Sequence, residues 1–195
     1  MPVCCPDLRN LCNQTCEKME TGVSRLFVGC ISDFNFGIVS SQITSLTLTE
    51  DLTPVGDPPV APDPTTGLVE FCFEGEEFTG IETGTYDRAT GASTWEDTTE
   101  GLKLYCSTTV DDETVRGLLG KQIWLVRKLK NKTGEEIFRS MGVGGGLRCV
   151  NVRRADNGPY WEIDFAGNSE QRQLYVLIGG TAANTETALL NLLLP

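Results

Sequence analysis

The sequence predicts a mainly β fold: an antiparallel β-sandwich or barrel with one short helix at about 111–119 and extended terminal arms. Two observations lead to this fold class. Short apolar or alternating runs recur about every eight to twelve residues, with Asn- or Gly-containing turns between them, as in sandwiches and barrels. The 39% hydrophobic content of the 195 residues is enough for a packed core.

Residues 1–22 are polar and rich in cysteine, and we interpret them as an N-terminal arm that precedes a single domain at 23–183. The four cysteines of the arm are spaced C-C-x6-C-x3-C, unlike the paired C-x2-C knuckles of structural zinc sites. Free thiols, disulfides and a thiolate metal site stay open as alternatives, and we predict no bound metal. The arm cysteines are Cys4, Cys5, Cys12 and Cys16; the remaining four, interpreted as buried small hydrophobes, are Cys30, Cys72, Cys106 and Cys149.

The strands are predicted from apolar runs and from alternation of apolar with polar residues. In 42–49, for example, isoleucine and leucine are interleaved with threonine and serine. Residues 84–100 are rich in Gly, Thr and Asp and carry Tyr86 and Trp95, and we interpret them as a loop. The predicted strands lie at 24–31, 42–49, 68–73, 77–83, 102–110, 122–129, 136–141, 147–153, 160–166 and 173–178.

The short helix is predicted at Asp111–Gly120, where aspartates cap the start, apolar residues form a stripe and Gly120 ends the pattern. Residues 51–66 are predicted to form a long exposed loop, because the five prolines in 51–64 exclude a helix or a central strand. The apolar tail 184–195 is predicted to be an extended arm. Its candidate contacts with other subunits are Leu189, Leu190, Leu192 and Leu193.

Composition excludes several classes of function. Histidine is absent, which removes Ser-His-Asp and Cys-His catalytic pairs and every histidine metal site. The net charge of −11 disfavours a protein that binds duplex DNA. Gly142–Gly146 lacks the following helix or Lys-Ser/Thr of a nucleotide loop, and we interpret it as an inter-strand loop. We therefore predict no enzyme, no catalytic residue and no cofactor, and no apolar run of about 18 residues predicts a membrane span.

Charge is distributed unevenly along the chain. Residues 1–100 hold 17 acidic and 4 basic side chains, whereas residues 101–195 hold 10 acidic and 12 basic ones. If the two sets lay on opposite surfaces, copies would meet head to tail and form rings or filaments; alternatively, both sets only keep a monomer soluble. The basic candidates for contacts between subunits are Arg127, Lys128, Lys130, Arg153 and Arg154.

The order of a short helix at 111–120, a strand at 121–128, the turn Asn131–Gly134, a glycine loop and two further strands resembles the small β-sandwich of bacteriophage tail tube proteins. The resemblance covers about residues 24–180. It implies a homo-oligomer of stacked, hexameric rings in a virion that is assembled in the host cytoplasm, together with other tail proteins. It also implies an acidic lumen through which DNA passes without specific binding. The candidate lumen or rim residues are Glu70, Glu74, Glu76, Glu77 and Glu82.

The leading hypothesis is therefore a structural virion protein of the tail tube, which conducts a genome during ejection. Other tail or head-tail joining proteins fit the same pattern. A different class of function, a β-sandwich receptor or glycan-binding module that uses Tyr86 and Trp95, is the alternative. An enzyme is the weakest hypothesis, because histidine is absent and no substrate can be proposed.

Overall fold

A computed structural model describes residues 23–49, 67–71, 78–104, 119–130, 134–154, 161–169 and 173–193. Within these ranges the chain forms two β-sheets and one short α-helix, and neither sheet closes into a barrel. The predicted mainly β sandwich with a short helix is confirmed. The N-terminal arm, the proline-rich loop and the predicted helix up to residue 118 lie outside the described residues.

Each sheet combines strands that are neighbours in the sequence with strands that are far apart in it. Sheet I has seven strands in the order β2-β3-β12-β9-β8-β1-β4, and sheet II has the order β10-β11-β6-β5 with β7 also paired to β11. The strands are β1 Val23–Cys30, β2 Phe34–Val39, β3 Gln42–Leu48, β4 Val69–Phe71, β5 Thr79–Tyr86, β6 Ser93–Glu100, β7 Leu102–Leu104, β8 Ile123–Lys130, β9 Glu136–Met141, β10 Arg148–Arg154, β11 Trp161–Ser169 and β12 Tyr175–Val176.

Sheet I has an apolar core on each of its faces. Strand β8 shows this arrangement, because Ile123 and Leu125 pack between the two sheets whereas Trp124 and Val126 pack on the opposite side. Side chains alternate between faces along a strand. The unbroken apolar run Ile123–Val126 in β8 is thus typical of a strand that is covered on both sides.

The second core is closed by the C-terminal segment. Helix α1, Ala182–Leu190, buries Leu189 completely, and Thr181 caps it by accepting a hydrogen bond from the Asn184 amide at 3.1 Å. The chain then pairs with the residue that precedes β4, where the Leu68 amide donates to the Leu192 carbonyl at 2.8 Å. The prediction of an extended arm at 184–195 is wrong for this segment, because the subunit itself offers an apolar surface that covers Leu189.

Two further predictions are corrected. Residues 84–100 are not a loop, because most of them form the β5–β6 hairpin. Cys30 is buried as predicted, but it is disulfide-bonded and is therefore not an isolated small hydrophobe. Cys149 is free and half-buried, and burial raises the pKa of its thiol.

Candidate functional site: a projecting hairpin on a buried polar clamp

The β5–β6 hairpin extends beyond the two-sheet body. Its strands pair in unbroken register from Thr79 opposite Glu100 to Tyr86 opposite Ser93. Beyond the pair formed by Glu82 and Asp97, every residue of 83–96 is exposed except the half-buried Trp95. We call residues 83–96 the hairpin arm. At the base of the arm, Trp95 and Glu96 still pair with Ser169 and Asn168 of β11. Residues 85–94 form a two-stranded ribbon with both faces in solvent, which is unusual because such ribbons are marginally stable in water.

The tip of the arm is a tightly hydrogen-bonded turn. The Asp87 carboxylate accepts from the Ala89 amide at 2.8 Å and from the Thr90 hydroxyl at 2.7 Å, and these bonds lower the pKa of Asp87. Gly91 adopts a left-handed conformation with φ of 70° and donates its amide to the Asp87 carbonyl at 2.8 Å. Aspartate and glycine at these positions are the turn chemistry that the conformation requires.

The two faces of the arm differ in chemistry. Residues directly opposite each other in a ladder share a face, so Gly84 and Trp95 lie with Tyr86 and Ser93 on the side that continues the interior of the sandwich. A Cβ atom at Gly84 would lie 2.4 Å from the Trp95 ring, so the ring covers the glycine. The other face carries the polar residues Thr83, Thr85, Thr94 and Glu96.

A buried polar cluster holds the base of the arm against sheet I. We call Glu82, Asp97, Arg127 and Gln173 the polar clamp. The backbone amide of Gln173 donates to the Glu82 carboxylate at 2.6 Å, and its side-chain nitrogen donates to the Asp97 carboxylate at 2.9 Å. Arg127 from β8 donates to the Gln173 side-chain oxygen at 2.7 Å and to the Gly80 carbonyl at 3.2 Å. The arm therefore begins one residue pair beyond a set of hydrogen bonds that joins the two sheets.

Burial controls the charges in the clamp. Desolvation lowers the pKa of Arg127 to about 10, with the nearby Arg139 as the next cause, so the guanidinium stays charged at neutral pH. Desolvation raises the pKa of Asp97, although hydrogen bonds from Gln173 and from the Gly142 amide oppose this shift. A buried charge requires partners, and the clamp supplies them from four separate segments of the chain.

Glycine makes room for the clamp. A Cβ atom at Gly80 would lie 2.2 Å from an Arg127 guanidinium nitrogen and 2.8 Å from the Met141 sulfur. Because β5 has no side chain at this point, the guanidinium can lie against the strand and reach its carbonyl. The sequence marks this approach only by a glycine within a strand, a signal that often indicates close contact with another segment.

The two predicted acidic residues within the described ranges, Glu70 and Glu82, lie on different faces of sheet I. Glu70 in β4 pairs with Arg25 at 3.3 Å on the helix side of sheet I, whereas Glu82 belongs to the polar clamp between the sheets. Both are partly buried and hydrogen-bonded or ion-paired within the subunit, so neither presents a free carboxylate to a lumen. The other three candidates, Glu74, Glu76 and Glu77, lie outside the described residues.

The predicted basic residues divide into buried and exposed groups. Arg127 and Lys128 are buried, and Lys128 pairs with Glu136 and Glu186, each at 2.9 Å. Contrary to the prediction, Arg127 and Lys128 are therefore not available for contacts between subunits. Acidic and basic residues distant in sequence thus meet inside one subunit. The backbone of Lys130 ends β8 opposite Glu136.

Arg153 and Arg154 are exposed at the end of β10. Arg153 forms two hydrogen bonds to Glu162, at 2.9 and 2.6 Å, and Arg154 lies over the Trp161 ring. Both cations therefore already have partners within the sheet.

The tail leucines follow the helix. Leu189 is fully buried and, contrary to the prediction, is not available for a contact between subunits, whereas Leu190 is 38% exposed. Leu192 and Leu193 are half-buried against the second core.

Comparisons of the chain with family models, with curated proteins and with solved structures found no match. Among the described residues, no helix combines the length and the apolar character needed to cross a membrane. The same residues contain no cluster of three or more acidic or cysteine side chains arranged to hold a metal ion.

Sequence reasoning missed Asp97 and Gln173 altogether. Asp97 follows an exposed glutamate in a segment interpreted as loop, and Gln173 stands next to charged and polar neighbours. Neither carries a local signal of burial. The spacing of Glu82 and Asp97 on a hairpin could have suggested a cross-strand pair, but only if the hairpin had been recognised.

Proposed function

We propose that this chain is a structural virion protein whose copies assemble into rings, and that stacked rings form the tube of a phage-like tail. The observation that carries the proposal is the hairpin arm, which leaves the subunit with both faces in solvent. The resemblance of the sequence pattern at 111–166 to tail tube proteins supports the same function. In this proposal the arm is the element that joins one copy to another.

The way the arm is attached supports a role in assembly. The polar clamp, in which Asp97, Arg127 and Gln173 are buried, holds its base, and such groups cost free energy when they are desolvated. Hydrogen bonds of this kind fix direction, because each donor needs its acceptor in one geometry. An arm held at a defined angle suits repeated contacts between identical copies, where every copy must present the same surface.

The two faces of the arm suit two environments. Tyr86 is 64% exposed and lies on one face with Trp95, and aromatic side chains are enriched at protein interfaces. The opposite face carries threonine and Glu96 without a cation. A surface without cations would let a polyanion pass without binding it.

The first test is the oligomeric state measured by light scattering, followed by negative-stain microscopy of the same sample. The decisive variant replaces residues 84–95 by Asn-Gly, which closes the hairpin directly after the Thr83–Glu96 pair with a turn of suitable type. We expect rings or tubes from the full chain and a folded monomer from the shortened one. Leu119→Ala, which removes an exposed leucine away from the arm, is the matched control and should assemble normally.

A glycan- or receptor-binding module is the second candidate, because the structure places Tyr86 and Trp95 on one exposed face of the same hairpin. Neighbouring aromatic rings can form a platform for a sugar. A chain that stays monomeric at all concentrations and salt levels would contradict the assembly proposal and favour this candidate. In that case Trp95→Ala should abolish binding to a glycan array.

A further inference from the structure

Strand β2 forms one edge of sheet I, and the backbone groups that it directs outward can be assigned. It is the last strand in the order of that sheet. The Asp33 carbonyl accepts from the Thr49 amide at 2.9 Å on the β3 side. Because bonded and non-bonded pairs alternate along an antiparallel ladder, the amides and carbonyls of Phe36 and Ile38 point away from β3. Among the described residues, none bonds to these groups.

An irregularity in the β2–β3 ladder does not change this assignment. The register shifts between Gly37 and Ile38 because Thr44 has no partner on β2. The Ile43 carbonyl, opposite Ile38, accepts from the Leu177 amide at 2.9 Å and therefore points away from β2. The pair of Ile38 and Ile43 is thus a non-bonded pair, and the Ile38 backbone groups still face outward.

Strand β5 forms an edge of sheet II, and the same rule assigns its backbone groups. The Asp87 amide bonds across the hairpin, so the groups of Gly84 and Tyr86 point away from β6. The Gly80 carbonyl agrees with this alternation, because it points the same way and accepts from Arg127 at 3.2 Å. The outward groups of Gly84 and Tyr86 bond to nothing within the part of the chain that the structure describes.

The other two sheet edges carry features that prevent pairing. Strand β10 has three arginines and an irregular register with β11, and cations and bulges both discourage the addition of a strand. Strand β4 has three residues, and Leu68 before it already bonds to Leu192. In contrast, residues 34–49 and 83–86 contain no charged side chain, so β2 and the outer strand of the arm, residues 83–86, lack this protection.

Net charge favours contact between copies at these two segments. The chain carries a net charge of −11, so copies repel each other across most surfaces. The two uncharged edges avoid this repulsion, and each has an exposed apolar or aromatic side chain, since Ile38 is 40% and Tyr86 is 64% exposed. Unpaired backbone groups must find partners when they are buried. The occupant that satisfies such an edge is therefore another extended strand.

We propose that the outer strand of the arm of one copy pairs with β2 of a second copy. The outward groups fit an antiparallel ladder in which Tyr86 lies opposite Phe36 and Gly84 lies opposite Ile38, each pair exchanging two hydrogen bonds. Opposite residues share a face, so Tyr86 packs beside Phe36, and Ile38 meets the Trp95 ring that covers Gly84. This inference rests on the proposed assembly and names its contact. Because the two edges differ, repetition of the contact generates rings or filaments.

The first test places an aromatic photo-crosslinking amino acid at position 86 of the full-length chain and mixes isotope-labelled with unlabelled copies before assembly. A glutamate-specific protease separates residues 21–50 from residues 83–96, so a crosslink between one labelled and one unlabelled peptide identifies a contact between copies. We expect the crosslink within Phe34–Val39. Assembly with crosslinks only elsewhere would overturn this inference and leave the proposed function intact. Absence of any assembly by the unmodified chain would refute the proposed function, and this inference with it.

A second test removes one outward amide. Ile38→Pro deletes an N–H that points away from β3, and proline is tolerated on edge strands, so the monomer should keep its thermal midpoint. We expect the concentration needed for assembly to rise by about tenfold. Ile38→Ala keeps the amide and should raise that concentration less. Equal effects of the two variants, or no effect of Ile38→Pro, would contradict strand pairing, and the crosslink decides the question if Ile38→Pro does not fold.

Discussion

Glu82 and Asp97 face each other across the β5–β6 hairpin, and both accept hydrogen bonds from Gln173, one from its backbone and one from its side chain. This pair marks the boundary between the buried part of the hairpin and the part whose side chains are mostly exposed. The direction of the arm therefore depends on a polar contact between distant segments, and changes to that contact should alter both stability and assembly.

Removal of the buried cation should destabilise the fold strongly. Arg127→Met keeps much of the side-chain volume but removes the donors to the Gln173 side-chain oxygen and to the Gly80 carbonyl, and each interior acceptor left without a partner costs about 1–3 kcal/mol. We expect the free energy of unfolding, measured with denaturant, to fall by about 3 kcal/mol. Arg153→Met, at an exposed ion pair, should cost no more than about 1 kcal/mol. Similar losses for the two variants would contradict a special role for the clamp.

The stability of the clamp should depend on pH in a defined direction. Because burial raises the pKa of Asp97 above 3.8, its contribution to stability is present below the unfolded pKa and is lost as the pH rises through the folded pKa. Asparagine does not titrate. The unfolding free energy of the wild type minus that of Asp97→Asn should therefore decrease as the pH rises from about 3 to about 6.

A carboxylate with the opposite shift serves as control. The hydrogen bond from Arg153 lowers the pKa of Glu162, so its contribution is present at higher pH and is lost as the pH falls through the folded pKa. The difference between the wild type and Glu162→Gln should therefore increase with pH, by a small amount because Arg153 is exposed. Changes of the same sign for both residues would contradict these assignments.

Two adjacent leucines test the position of the C-terminal helix. Leu189→Ala removes a fully buried side chain from the second core, and such truncations cost about 2–5 kcal/mol. Leu190→Ala alters a neighbour that is 38% exposed and should cost less than about 1 kcal/mol. Urea unfolding of the two variants gives both values. Equal, small effects would mean that the helix does not pack on the subunit in solution.

The turn between β2 and β3 should be open to stabilisation. Ser40 and Ser41 both have positive φ, at 47° and 67°, which matches the two-residue turn that favours Asn-Gly. Serine is strained in this region. We expect the double variant Ser40→Asn and Ser41→Gly to raise the unfolding free energy by about 1 kcal/mol. Ser93→Gly, at an extended strand position, is the control and should lower it.

Local patterns determined much of the β architecture. Strand β9 was predicted with its observed bounds and β8, β10 and β11 nearly so, because their apolar runs and Gly- or Asn-containing turns are local signals. The hairpin arm was missed since its threonines, glycines and aspartate are also typical of a loop, and such a ribbon shows no apolar alternation. The sequence by itself thus determined the fold class, the uneven distribution of charge along the chain and the absence of histidine chemistry.

Only the tertiary structure decided which charged and apolar residues are available to partners. Arg127 and Arg153 are both arginines in strands, yet one is buried in the clamp and the other is exposed. Leu189 and Leu190 differ in the same way. Burial depends on which distant segments meet, here β5, β6, β8 and the segment at Gln173. Those contacts arise from packing across long separations in the chain, and no local pattern encodes them.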